Sequence, residues 1–429
     1  MKINLPLLII CVFILIKVQA QEFTPNYDES KIPDYELTPI LVTQGGEPVS
    51  KVKEWEKRRR PEILKLFQEE MYGKIPKGKL KTSYKVLESA NDALNGKALR
   101  KQVRITFEKG EKSLSMDLLI YLPKGESEAV PIFLTTNFYG NHTIQADKNI
   151  LLSDKWMMAN ENFGIVDHKA TEASRGVRVN RWPVEMIIES GYGLATFYYG
   201  DIDPDYNNFE DGIHPFFYNE GQEKPASNEW GSVAAWAWGL SRALDYLETS
   251  KEIDSKKVIV FGHSRLGKAS LCAGAYDERF AMVISNDSGC GGAALSKRAI
   301  GETVGKINES FPHWFSGNFK KYNENESALP FDQHMFLALM APRPVYVASA
   351  AEDLWADPKG EFLALKSASK VYELYGLENI GKEEMPEIDQ PLQTIYKGYH
   401  IRTGKHDVKD FDWQQYILFA NKFFKNTDQ

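Results

Sequence analysis

The pattern of apolar and polar positions changes character along the chain. From Val52 to Met71 apolar residues recur at helical spacing, which predicts one amphipathic helix inside a stretch, 21–95, otherwise rich in Pro, Lys and Glu. Lys101 to Phe107 and Ser115 to Leu122 alternate residue by residue and predict an antiparallel strand pair with Lys109-Gly110-Glu111 as the loop. Val130 to Thr136, Gly193 to Tyr199 and Val258 to Phe261 are instead nearly all apolar, as strands covered on both faces are. Helical patterns over Val233 to Leu247 and Lys268 to Tyr276 flank the last of these. Two further strands, Ala281 to Ser285 and Pro344 to Ser349, precede a closing helix that opens near Asp410 and runs to Phe424. Strands alternating with helices predict an α/β three-layer sandwich, a mostly parallel sheet with helices on both faces.

Composition sets the scale. With 429 residues, 43% of them hydrophobic, the chain can bury one large α/β core, read as a domain over 96–429 with the 21–95 leader and its helix packed on it. The net charge of −7 and the lack of a basic tract beyond Lys57-Arg58-Arg59-Arg60 argue against nucleic acid as a partner, and that run reads as a solvated helix face. Lys2, the apolar run Leu5 to Ile16 and Val18-Gln19-Ala20 predict a signal peptide over 1–20, cut after Ala20. The run falls short of the roughly 20 residues that span a bilayer. A secreted or periplasmic protein, free of the membrane after cleavage and expected to act as a monomer, follows. Cys11 falls inside the apolar run, which leaves Cys272 and Cys290 either as a disulfide or as two buried free thiols. Eight scattered histidines, with no His-Glu-x-x-His or paired Cys-x-x-Cys spacing, predict no metal site.

Candidate chemistry begins where the apolar run Val258 to Phe261 breaks at Gly262-His263-Ser264-Arg265 and passes into a small-residue helical pattern. A strand, a sharp turn and a helix in that order make a nucleophile elbow, which holds a serine hydroxyl clear of the sheet. The same spacing also fits an ordinary strand-to-helix turn. The usual glycine two residues after the serine is displaced to Gly267, so the motif is a variant. Two later strands run into acids, at Asp287 and at Asp353, where an open parallel sheet carries its functional residues. His406 lies in the loop ahead of the last helix, and the order serine, acid, histidine is that of an α/β-hydrolase. His400, within an extended run, reads as structural.

These blocks resemble the glucuronoyl esterases, the fifteenth carbohydrate esterase family. The likeness runs from about Lys51 onward and is carried by Gly262 to Lys268, Asp287 to Arg298, Gly301-Glu302-Thr303, Glu352 to Pro358 and the His406 loop. It implies an α/β-hydrolase fold, no cofactor, and cleavage of esters between (4-O-methyl-)glucuronic acid of glucuronoxylan and lignin alcohols. By resemblance Ser264 is the nucleophile, His406 the base and Arg265 an oxyanion donor, while Lys268, Glu302 and Trp355 contact the sugar. A guanidinium beside the nucleophile suits that task, since it offers fixed donors where negative charge develops. Fungal members carry a disulfide between the positions held here by His263 and Asp407, so that bridge is absent. They also have Glu where Asp287 stands, whereas Asp353 occupies the position usual for α/β-hydrolases. Both acids therefore remain candidates to orient His406, with Asp353 favoured.

Two other readings stay open on the residues alone. One keeps the fold and changes the substrate to acetylated xylan or another carbohydrate ester. The other is a glycan-binding protein that performs no chemistry. Aromatic residues at Asn137 to Tyr139, Arg175 to Trp182 and Tyr198 to Tyr218 are candidate walls of a cleft.

Overall fold

The computed structural model describes residues 23–381 and 384–427, the side chains of 426 and 427 excepted. The expected signal peptide and Cys11 lie outside the described residues. Among the described residues no helix is long and apolar enough to cross a membrane.

The strands of the main sheet are β1 (Lys81–Asp92), β2 (Ala98–Lys109), β3 (Lys112–Pro123), β4 (Val130–Asn137), β5 (Gly193–Tyr198), β6 (Ile253–His263), β7 (Met282–Asn286), β8 (Val345–Ala350), β9 (Leu392–Gln393) and β10 (Lys397–Arg402). They join in one 10-stranded sheet of order β1-β2-β3-β5-β4-β6-β7-β8-β10-β9. From β5 to β10 every neighbour runs parallel; β1, β2, β3 and the short β9 are antiparallel to theirs. The predicted hairpin forms with Lys109 opposite Lys112, so its loop is just Gly110-Glu111, and Gly110 takes the positive φ of 59° that so tight a turn requires.

The apolar runs are explained by two cores. Val258 and Val260 of β6 face one cluster together with α2 (Ser232–Leu247) and α3 (Arg265–Tyr276). Ile259 and Phe261 face the other, filled by Trp413, Tyr416 and Phe419 of α4 (Asp410–Thr427). With both faces buried, no polar alternation survives, and the result is the three-layer α/β-hydrolase architecture.

The leader divides into two parts. Its helical segment runs through Val52–Glu54, a π-type turn at Trp55–Arg59, and α1 (Arg60–Glu70). Trp55, Ile63 and Phe67 are fully buried, and Phe67 packs against Phe331 and Phe336 at 4.5 and 4.6 Å between ring centres. Its last part, 81–92, is not leader but the edge strand β1, whose largely exposed side chains hid the strand from a reading that looked for buried faces. The Lys57–Arg60 run also departs from a solvated face. Arg59 is buried, donating from Nε to Ile40 O at 2.8 Å and pairing with Glu62 at 3.2 Å, so it ties the helix to the preceding loop. Phe67→Ala should lower stability by about 3–5 kcal/mol, because the surrounding rings cannot close the cavity. A urea unfolding midpoint indistinguishable from wild type would show that the leader is not part of the cooperative core.

Candidate active site

The elbow forms as the motif predicts. Ser264 sits between β6 and α3 with φ 58° and ψ −128°, a backbone state that non-glycine residues adopt only under constraint. The constraint is steric and polar together. A Cβ on Gly262 would stand 1.9 Å from Leu266 O, so strand and helix cross there only because that side chain is absent. Gly267, the displaced glycine, lies where a Cβ would come within 3.0 Å of Ser288 Cβ. Ser264 N donates to Asn286 O at 2.8 Å, and Ser264 O accepts from Gly267 N and Lys268 N at 2.9 and 3.2 Å.

All eight sequence-predicted residues line one cavity of about 380 Å³: Ser264, Arg265, Lys268, Asp287, Glu302, Asp353, Trp355 and His406. They come from the segments that follow β6, β7, β8 and β10, on the rim where open parallel sheets place their ligands. His406 Nδ1 is 2.6 Å from Asp353 Oδ2, and the ring is 40% exposed, so its other nitrogen remains available to the cavity. Asp287 lies close by: one ligand atom each from Asp287, Asp353 and His406 falls within 4.8 Å of the others. Asp287 Oδ2 accepts from Arg402 Nη2 at 3.4 Å and from Asp407 N at 3.3 Å, while its Oδ1 is buried without a partner among the described residues. Burial, with Glu361 and Asp353 close by, pushes the Asp287 carboxyl well above its usual range, against the pull of Arg402. Asp353 is thus the acid on His406, and Asp287 is a buried neighbour. His400 is buried and structural, bonded to Asp412 Oδ1 at 2.7 Å and Tyr346 Oη at 2.9 Å.

Arg265 does pair with an acid, but a buried one that sequence reasoning missed. Its guanidinium lies 4.6 Å over Trp314 and 5.1 Å over Phe311, and Nη1 donates to Asp205 Oδ2. Asp205 also accepts from Tyr199 Oη at 2.8 Å, His313 Nε2 at 2.9 Å and Trp314 Nε1 at 2.7 Å. Burial alone would raise this carboxyl; Arg265, His313 and Trp314 outweigh it and hold it well below the usual carboxylate range. Arg265 Nε is buried with no acceptor among the described residues, so the fixed guanidinium keeps a donor in reserve.

On the other wall, Lys268 is buried and donates from Nζ to Ser288 O at 2.6 Å. Burial lowers the Lys268 ammonium and raises the neighbouring Glu302 carboxyl, each opposed by the other's charge. Trp355, 37% exposed, stands at the rim with Phe23 edge-on at 6.0 Å.

A family model described as "Glucuronyl esterase, fungi" matches residues 177–376. Carbohydrate esterase MZ0003, from an unknown prokaryotic organism, is 50% identical over 422 residues, 96% of this chain and 97% of that one. The chain belongs to the glucuronoyl esterase family. A solved glucuronoyl esterase from Solibacter usitatus is 48% identical with a TM-score of 0.87, covering 92% of this chain and 100% of that one. The 4-O-methyl-glucuronoyl methylesterase 1 of Wolfiporia cocos is 30% identical over 266 residues, 60% of this chain and 64% of that one. Like its relatives, this glucuronoyl esterase is a carboxylic ester hydrolase acting on glucuronic acid esters. The reading as a binding protein without chemistry is thereby set aside.

In this glucuronoyl esterase, none of the three expected aromatic segments lines the cavity. Tyr198 and Tyr199 are buried in the core, and the cavity's aromatic wall is Phe311 and Trp314, from an aromatic run after Ser310 that could have been singled out in the sequence. Cys272 and Cys290 are both free and buried. His263, where fungal members carry a cysteine, is also buried; burial, with Arg181 and His406 nearby, holds it well below the ordinary histidine range, and its Nδ1 bonds Asn286 Oδ1 at 2.6 Å.

If Asp205 fixes the guanidinium, Asp205→Asn should lower kcat on a glucuronate ester about 10- to 100-fold with a smaller change in KM, as loss of aim at a developing charge does. An unchanged kcat in steady-state kinetics would show that the aromatic stack alone positions Arg265.

Proposed function

We propose that this protein is a secreted serine esterase that cleaves the ester between (4-O-methyl-)glucuronic acid of glucuronoxylan and lignin alcohols. The observation that carries the reading is the His406–Asp353 contact opening onto the cavity where Ser264 holds its strained elbow. Asp353 fixes the tautomer with the proton on Nδ1, which leaves Nε2 to take the Ser264 proton as Oγ attacks the ester carbonyl. Negative charge then develops on the carbonyl oxygen. The Arg265 guanidinium meets it, together with the Arg265 amide, which has no helical acceptor in the first turn of α3. Collapse breaks the bond to the leaving alcohol, which carries away the proton held on His406, and a glucuronoyl group remains on Ser264. Water, deprotonated by His406 in turn, hydrolyses that ester and frees the uronic acid.

The opposite wall supports the uronate assignment. Lys268 and Glu302 present a donor and an acceptor to ring hydroxyls, and Trp355 offers an indole face and one N–H. The Wolfiporia cocos relative is named for 4-O-methyl-glucuronoyl ester cleavage, which agrees with this wall. Secretion rests on the signal-peptide pattern of residues 1–20, and the enzyme acts as a monomer.

Benzyl glucuronate is the substrate that tests the reading, with acetylated xylan beside it. The mature protein should hydrolyse the glucuronate ester. Ser264→Ala should lose about 10,000-fold or more of kcat, and Asp353→Asn about 1,000- to 10,000-fold, against a much smaller loss for Asp287→Asn. Turnover of acetylated xylan alone would move the acyl specificity, and a greater loss in Asp287→Asn than in Asp353→Asn would exchange the roles of the two acids.

A further inference from the structure

The first described residues of the leader run along the sugar-side rim of the active-site cavity. Phe23, Asn26 and Glu29, spaced three apart, meet the two loops that carry Glu302 and Trp355. Phe23, half-buried, stands edge-on to the Trp355 indole, with ring centres 6.0 Å apart and planes at 86°. Asn26 O accepts from Gly301 N at 2.8 Å. Glu29 accepts from Arg298 Nη2 on one carboxylate oxygen and from Lys359 Nζ, at 2.8 Å, on the other. Arg298 also donates to Asp357, whose carboxylate caps the helix Pro358–Leu374. The segment is therefore a strap that joins the loop after β7 to the loop after β8 from outside.

Those two loops already meet at the backbone. Gly301 has a φ of 62°, a Cβ there would stand 2.4 Å from Trp355 O, and Glu302 N donates to the same Trp355 O at 3.0 Å. The Trp355 backbone is thus fixed from within the domain, and its ring is what remains to be oriented. That ring is 37% exposed, and a side chain so placed exchanges between rotamers unless a neighbour selects one. Phe23 is its one aromatic contact among the described residues. An edge-to-face pair is favoured by the ring quadrupoles, so it sets the angle of the indole as well as its position. Phe23 is itself held by Lys306, with Nζ 5.6 Å over its ring, and by the Asn26 and Glu29 anchors that follow it. The orientation matters for a second group. Burial raises the Glu302 carboxyl, while Lys268 and a hydrogen bond with the Trp355 side chain oppose that rise, so Glu302 and the indole face the cavity as a pair.

We infer that Phe23 is a positioning residue for the sugar-side wall: it holds the Trp355 indole in the orientation that meets the uronate ring, and so sets affinity for the acyl half of the substrate without touching the reacting ester. The inference rests on the reading in which Trp355 and Glu302 contact the uronate. It adds to that reading a part for the leader, which the strap brings to the rim.

Steady-state kinetics on benzyl glucuronate and fluorine NMR of protein labelled with 5-fluorotryptophan test it together. Phe23→Ala should raise KM about 2- to 10-fold, the cost of immobilising one freed side chain at each binding event, with kcat within about twofold. Phe23→Tyr, which keeps the ring, should restore KM. Because Phe23 acts through Trp355, adding Phe23→Ala to Trp355→Ala should leave KM where Trp355→Ala alone puts it. The Trp355 resonance is identified as the one lost in Trp355→Phe; Phe23→Ala should shift it, and Phe23→Tyr should return it close to its wild-type position. A Trp355 resonance that Phe23→Ala leaves in place, a KM that rises in Trp355→Ala but not in Phe23→Ala, or additive losses in the double variant each overturn the inference. A resonance that moves in Phe23→Ala while Trp355→Ala leaves KM unchanged would instead contradict the sugar-wall reading, with Phe23 still the residue that orients the indole.

Discussion

The site depends on a backbone conformation that the rest of the molecule must enforce. Ser264 has a φ of 58°, a state that costs a residue with a side chain about 1–3 kcal/mol. It persists because β6 and α3 cross at Gly262 and Gly267, where any Cβ would strike the helix backbone or Ser288. The amide of Ser264 is meanwhile fastened to Asn286 O on the neighbouring strand. The two buried cores on either face of β6 hold that strand rigid, so the strain is carried by the packing of the whole sheet. From this one turn follow the exposure of the hydroxyl, the start of α3, and the location of Arg265 and Lys268 on its first turn.

Around the turn, charged and titratable side chains are held in pairs. Arg265 has Asp205, His406 has Asp353, and Arg402 bridges Asp412 and Asp287. Breaking the Arg265–Asp205 or Arg402–Asp412 pair leaves an uncompensated buried charge, which is why each is a constraint on geometry more than a source of stability. The Asp205 cluster is the clearest case. Four donors from Tyr199, Arg265, His313 and Trp314 converge on one carboxylate, so a guanidinium on a long, flexible side chain becomes a fixed element of the cavity. Preorganised donors of this kind stabilise developing charge without reorganising during the reaction.

Much of this was legible in the sequence, and the exceptions share a cause. The parallel strands announced themselves because both faces are buried and their residues are nearly all apolar. The elbow, the acids after β7 and β8, and the histidine before α4 were legible because they lie at chain positions tied to the ends of strands. Edge strand β1 was not, since its exposed side chains lack the alternation that burial on one face imposes. Arg59 was misread within a basic run because only tertiary packing shows which of four adjacent cations turns inward. Asp205 was invisible for a related reason: its partners come from 199, 265, 313 and 314, and no spacing in the chain brings those positions together. The choice between Asp287 and Asp353 likewise required seeing which carboxylate meets Nδ1 of His406 and which is taken by Arg402.

The central claim is that the enforced turn and the His406–Asp353 pair together make Ser264 the activated nucleophile. Treatment with a fluorophosphonate, followed by peptide mass mapping, tests it most directly, because the reagent bonds only to a serine whose proton is being removed. The account predicts stoichiometric modification at Ser264, slowed by orders of magnitude in His406→Ala and in Asp353→Asn and absent in Ser264→Ala. Modification at another serine, or labelling of Ser264 at an unchanged rate when His406 is removed, would contradict it.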